Sequence, residues 1–198
     1  AVYPAGEYTA DVAKRTVKAS IPTWQQAVAG SYNPSAALAV AYSETNSLEF
    51  RNAVALLKFR VSNPNVSHVT FFSNAGEAIT GDVEVVLDED NAISVTPLKT
   101  PTSVWVDEVE TIEDQYRTYV EIFAYQNDDN KFFAVGKDYY IAIAPQTFSQ
   151  GYGIEFSFDD NKNSKFKVME YTKGSVTLEA GVIYDMGELE YEAVVPET

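Results

Sequence analysis

His68 is the only histidine in the chain, so whatever imidazole chemistry the protein has must pass through that residue. With no second histidine, no His-based dyad or cluster can be assembled, and no Gly-x-Ser-x-Gly elbow is present to support nucleophilic catalysis. The residue falls on the polar parity of Val66–Phe72, opposite Val69 and Phe71, which is the position of a surface strand residue. The acid-rich turns Asp88-Glu89-Asp90-Asn91, Asp128-Asp129-Asn130 and Asp159-Asp160-Asn161 offer oxygen donors of the kind Ca²⁺ takes. None has the spaced loop and distal Glu of an EF-hand, and Asp and Asn are also the residues that hairpin turns require. Twenty-nine carboxylates supply a pair almost anywhere, so glycosidase-type chemistry is not singled out. Trp24, Trp105, Tyr139, Tyr140 and Tyr152 are candidates for a sugar-stacking surface, with Tyr139, Tyr140 and Tyr152 at its centre. Rings in alternating strands more often fill a core. There is no cysteine, which excludes thiolate metal sites and disulfides. The expectation is a non-enzymatic protein without cofactor or metal.

Composition supports that expectation. The chain has 198 residues, a formal net charge of −15, 45% hydrophobic residues and no basic run longer than Lys14-Arg15. Duplex nucleic acid requires clustered Lys and Arg, so it is excluded as a partner. A chain of this length buries about 70% of its extended surface and needs no covalent staple. No stretch approaches the ~20 apolar residues of a membrane-spanning helix. The sequence opens at Ala1 with neither Met nor a signal peptide, as a processed product would.

The elements that must position any site read as β-strands. Val17–Ile21 alternates and ends at Pro22, and Ala36–Ala41 is compact and apolar, either a buried strand or a helical turn. Leu48–Val61 is the densest apolar run of the first third. Leu48 and Phe50 fall on one parity and Leu57, Phe59 and Val61 on the other, which predicts a strand with a bulge at Asn52–Val54. Phe50, Ala53, Val54 and Leu57 also match a helical period. Strands are predicted over Val66–Phe72, Ile79–Leu87, Ala92–Thr96, Ser103–Val106, Tyr116–Tyr125, Phe132–Val135, Tyr139–Pro145, Gly153–Phe158, Ser164–Tyr171, Ser175–Leu178 and Val182–Val195. Many short strands with regular turn signals indicate an all-β sandwich or barrel. The polar break Ser43–Ser47 divides residues 1–45, the remainder of an N-terminal β-domain, from a complete β-domain over 46–198.

Several segments together carry a resemblance. They are Ala1-Val2-Tyr3-Pro4; Ile21-Pro22 with Gln25 or Gln26; Leu48-Glu49-Phe50-Arg51-Asn52-Ala53 leading into Leu56-Leu57-Lys58-Phe59; Ile79-Thr80-Gly81; Tyr139 to Pro145; and Leu178 to Tyr184. In order and spacing this set resembles the fimbrillin family of Bacteroidetes surface proteins, the subunits and tip components of type V pili. The resemblance implies transthyretin-like Greek-key β-sandwich domains and export as a lipoprotein precursor to the outer membrane and the fimbrium. Membrane contact would come only through the precursor's lipid anchor. It also implies assembly with other pilus subunits by strand exchange, and adhesion to a surface glycan or protein. The chain departs from the family in lacking the longer N-terminal domain. A sandwich missing a strand leaves open edges and an apolar groove that a donor strand fills. The stretch of interest as donor or edge strand is Val182–Val195, with Val182, Ile183, Tyr184, Met186, Leu189, Tyr191 and Val194 as its apolar residues. The rival reading is a carbohydrate-binding sandwich module of a glycan-uptake system.

Overall fold

A computed structural model describes residues 1–6, 8–98, 119–124, 132–158, 165–170 and 172–189. The strands are β1 (Val2–Tyr3), β2 (Thr9–Asp11), β3 (Thr16–Ile21), β4 (Trp24–Gln26), β5 (Ala39–Val40), β6 (Arg51–Asn52), β7 (Ala55–Val61), β8 (Val66–Ser73) and β9 (Gly81–Leu87). They continue as β10 (Ile93–Pro97), β11 (Tyr119–Phe123), β12 (Tyr139–Ile143), β13 (Gln146–Phe148), β14 (Tyr152–Phe158), β15 (Lys165–Glu170), β16 (Val176–Leu178) and β17 (Ile183–Leu189). The described residues hold no α-helix; one 3-10 turn, Pro34–Ala36, is capped by the Asn33 side chain. The architecture is all-β, with mainly antiparallel sheets packed as a sandwich. Among the described residues no helix is long and apolar enough to cross a membrane, which says nothing of strands.

The middle sheet, ordered β12-β7-β17, organises the rest. Alternation sends Leu57, Phe59 and Val61 of β7, with Tyr139, Ile141 and Ile143 of β12, into one large core. Leu56, Ala142 and Ala144 point the other way into a smaller core. Val69, Phe71, Ile122, Ile154 and Phe156 close the large core from the sheet ordered β15-β14-β8-β11-β4. Val17, Ala19 and Ile21 of β3, with Val83, Val85 and Leu87 of β9, close the small core from the sheet ordered β10-β9-β3-β2. A strand buried on both faces reads as a nearly continuous apolar run, as Tyr139–Pro145 does. Beyond Leu56 the small-core face of β7 becomes charged. Lys58 pairs there with Asp185 of β17, and Arg60 with Asp138 at 3.0 Å.

Strand pairing runs across residue 45. β3 pairs with β9, β5 with β6, and β4 with β11, so residues 1–45 share sheets and a core with the later strands. Leu48–Val61 is not one bulged strand. Arg51–Asn52 pairs with Ala39–Val40, and after the buried step Ala53-Val54 the chain joins the middle sheet as β7. Leu48 and Phe50, expected inside, are about half exposed at 49% and 47%. Their parity belongs to an approach segment and not to the core strand. Of Ala36–Ala41, Ala36 ends the 3-10 turn and Ala39–Val40 forms β5, while Ala37, Leu38 and Ala41 belong to neither element. Phe132–Val135 is a loop that buries Phe133. The strand expected at Ser103–Val106, with Trp105, and the turns at 128–130 and 159–161 lie outside the described residues.

Candidate functional site

An open groove of about 820 Å³ lies between β10 and the small sheet β13–β16. One wall is β10, through Ile93, Ser94 and Val95, preceded by Asn91. The facing wall is the small sheet β13–β16, through Gln146, Thr147, Thr177 and Leu178. Glu49, Arg51 and Asn52 close one side, and the turn Glu179-Ala180-Gly181 the other. Thr147 and Thr177 are cross-strand partners whose hydroxyls lie 2.8 Å apart, and Gln146 Nε2 donates to the Ala78 carbonyl at 2.5 Å. Arg51 lies 3.7 Å from Glu49. The Asn91 Oδ1 atom is buried without a hydrogen-bond partner. The positive φ of 59° at Asn91 suits Asn, which tolerates the left-handed region in a turn built on Asp88.

Among the described residues β10, β6 and β16 each have a strand neighbour on one side only, and residues of all three line the groove. Such edges are templates for a further strand. The chemistry offered is main-chain pairing beside half-buried Ile93 and Val95. The lining has no histidine and no aromatic ring.

The sequence-predicted residues fall elsewhere. Tyr139 and Tyr152 are each 5% exposed and belong to the large core, so the expected aromatic surface is corrected. Tyr139 packs edge-on to Phe133 at 4.7 Å and beside Phe59, and its hydroxyl accepts from the Ala134 N–H. Tyr152 packs on Phe71 at 4.6 Å and on Phe148. Their rings are needed inside because burying an aromatic side chain stabilises by about 1.5–3 kcal/mol. Tyr140 is half-buried against the small core, and Trp24 is exposed on the edge strand β4.

Val182–Leu189 is seated in its own domain. β17 runs parallel to β7, with Met186 and Leu189 in the large core, Tyr184 packed against it, and Val182 and Ile183 outward. A bulge at Gly187, with φ of 74°, lets Met186 and Leu189 share one face despite opposite parity. Tyr191 and Val194 lie outside the described residues. His68 is half-buried, with Nδ1 bonded to the adjacent Ser67 hydroxyl at 2.9 Å. No protein-family model matches the chain, and no curated protein matches it either.

A second polar cluster fixes the loops that hold β13. Glu77 accepts from Ser73 Oγ, and its Oε1 accepts from Ser149 N and Oγ at 2.7 and 2.6 Å. Burial pushes the Glu77 carboxyl up, but the bonds from Ser149 and Ser73 together outweigh it and hold the group below the ordinary range. Sequence reasoning missed both the groove and this clasp. Pro97, closing an otherwise alternating strand, is the signal that marks β10 as an edge.

Proposed function

We propose that this protein is a non-enzymatic subunit of a cell-surface adhesion or pilus assembly that joins its neighbours by β-strand addition. The observation that supports this most is the groove between β10, β6 and β16, where strand edges border a concavity and are paired on one side only among the described residues. In this reading the sandwich is of the transthyretin-like Greek-key type that the sequence resembles. The chain reaches the cell surface by export, with any lipid anchor on the precursor. Residues Ile183–Leu189 supply β17 to their own middle sheet, so in this reading a donated strand comes from outside that segment. A carbohydrate-binding module is less well supported, because Tyr139 and Tyr152, which would stack on a sugar, are core residues. Electron microscopy of the purified protein, before and after limited proteolysis, tests the proposal. Filaments or ordered ladders on denaturing gels are the expected outcome, and a monomer under every condition would remove the assembly role.

A further inference from the structure

The direction of each backbone group along β10 is set by the ladder around it. Leu98 N donates to the Asp82 carbonyl, and Asp88 N donates to the Ala92 carbonyl. With Ile93 opposite Leu87 and Pro97 opposite Val83, these bonds put the even-numbered residues of β10 in the hydrogen-bonded pairs with β9. The opposite side of β9 agrees, since Leu87 N donates to Arg15 and odd-numbered residues there face β3. The N–H and C=O groups of Ile93 and Val95 therefore point away from β9, on the side where both residues border the groove. The next outward position is Pro97, which has no N–H to give, so the usable edge ends there. Of the groove's charged residues Arg51 is matched by Glu49, whereas Glu179 forms no salt bridge among the described residues.

Resting on the strand-addition reading above, we propose that the groove takes a short extended polypeptide segment. The segment pairs its backbone with Ile93 and Val95, stops at Pro97, and carries basic residues that complement the acidic rim at Glu179 in a chain of net charge −15. Its apolar side chains, two residues apart, lie on the small core beside Ile93 and Val95. Main-chain pairing supplies the affinity, and the alternating side chains supply the choice of partner.

A suitable probe is the synthetic hexapeptide KFKVME, which has this alternation of lysines and apolar residues and the sequence of residues 165–170. Its binding to the full chain is measured by calorimetry, together with a version N-methylated at alternate residues and a version with both lysines replaced by glutamate. Val95→Pro removes an outward N–H and leaves the β9 ladder whole. We expect the probe to bind the native chain, and binding about tenfold weaker or worse for Val95→Pro and for the N-methylated peptide. The glutamate peptide binds more weakly than the probe. Should Val95→Pro fail to fold, as judged by circular dichroism, the N-methylated peptide on the native chain decides alone. Equal affinity for the plain and N-methylated peptides, preference for the glutamate peptide, or no binding of the probe would each overturn the inference. Probe binding without filaments would remove the pilus role and leave this inference standing, and filaments built by a folded Val95→Pro chain would do the reverse.

Discussion

The side-chain amide of Gln25 stands in for a strand against Ala142. Its Nε2 donates to the Ala142 carbonyl at 2.7 Å, and its Oε1 accepts from the Ala142 N–H at 3.0 Å. Nε2 also donates to the Pro22 carbonyl at 3.1 Å. β12 is the edge of the middle sheet, and its outward groups are met piecemeal: Asp138 by Gly30 N, Ala142 by Gln25, and Ala144 N by the Ile79 carbonyl. Gln25 is 1% exposed, so no water replaces it.

Gln25→Ala leaves a buried N–H and a buried C=O without partners, and a loss of about 2–3 kcal/mol is expected in urea unfolding. Gln25→Glu adds a pH test. A neutral carboxylic acid can both donate to and accept from Ala142, whereas the buried anion cannot. Burial favours the protonated form in the folded state, so the variant should be nearest to the native chain in acid. It should lose stability as pH rises through and above the ordinary carboxylate range. A pH-independent deficit would show that the amide's shape, and not its hydrogen bonding, matters.

Glu77 behaves in the opposite sense. Its carboxyl is held below the ordinary range when folded, so its contribution is present above the unfolded-state value and is lost as pH falls through the folded-state value. Glu77→Ala should cost about 1 kcal/mol at neutral pH and little once the native carboxyl is protonated. Thermal melts of both chains across acidic pH would show the curves converging.

Tyr139→Ala and Tyr152→Ala should each destabilise by about 3–5 kcal/mol, the range for removing a large core aromatic. Tyr139→Phe should cost about 1 kcal/mol, since it loses only the bond from Ala134 N. Unfolding curves decide this. A folded, stable Tyr152→Ala chain would contradict the packing on Phe71 and Phe148.

Gly151 has a φ of 74°, and a Cβ placed there would lie 2.6 Å from the Thr172 carbonyl oxygen. Gly76 has a φ of 81° with open space around it. Gly76→Ala should therefore cost only the left-handed backbone term, about 1 kcal/mol. Gly151→Ala should cost more, about 2–3 kcal/mol, because the Thr172 backbone must also move. Equal effects in chemical denaturation would mean that the crowding at Thr172 relaxes freely.

What the sequence made legible is what period-2 alternation encodes. The inward set Val83, Val85 and Leu87 and the doubly buried Tyr139–Pro145 were both readable, because each residue's face is fixed by its immediate neighbours. Leu48 and Phe50 were misassigned because they lead into Arg51–Asn52, whose partner Ala39–Val40 belongs to a different sheet from the one β7 enters. No local pattern marks that change. The groove joins Arg51, Ile93, Thr147 and Thr177, which only the tertiary fold brings together. Gln25 figured in the family resemblance, but its bonding to Ala142, 117 positions away, carried no local signal.

The parallel pairing of β17 with β7 has a consequence for synthesis. β7 spans residues 55–61, yet its second neighbour, more than 120 residues further along the chain, ends at Leu189. A chain emerging from its amino end must carry the middle layer half finished, with Leu57, Phe59 and Val61 lacking the cover of Met186 and Leu189, until residue 189 has been produced. Long-range pairing of this kind is slow to form and leaves apolar surface open meanwhile. The nascent protein is thus most vulnerable to wrong partners just before β17 arrives, and a binding factor that shields the exposed flank of β7 would act in that interval.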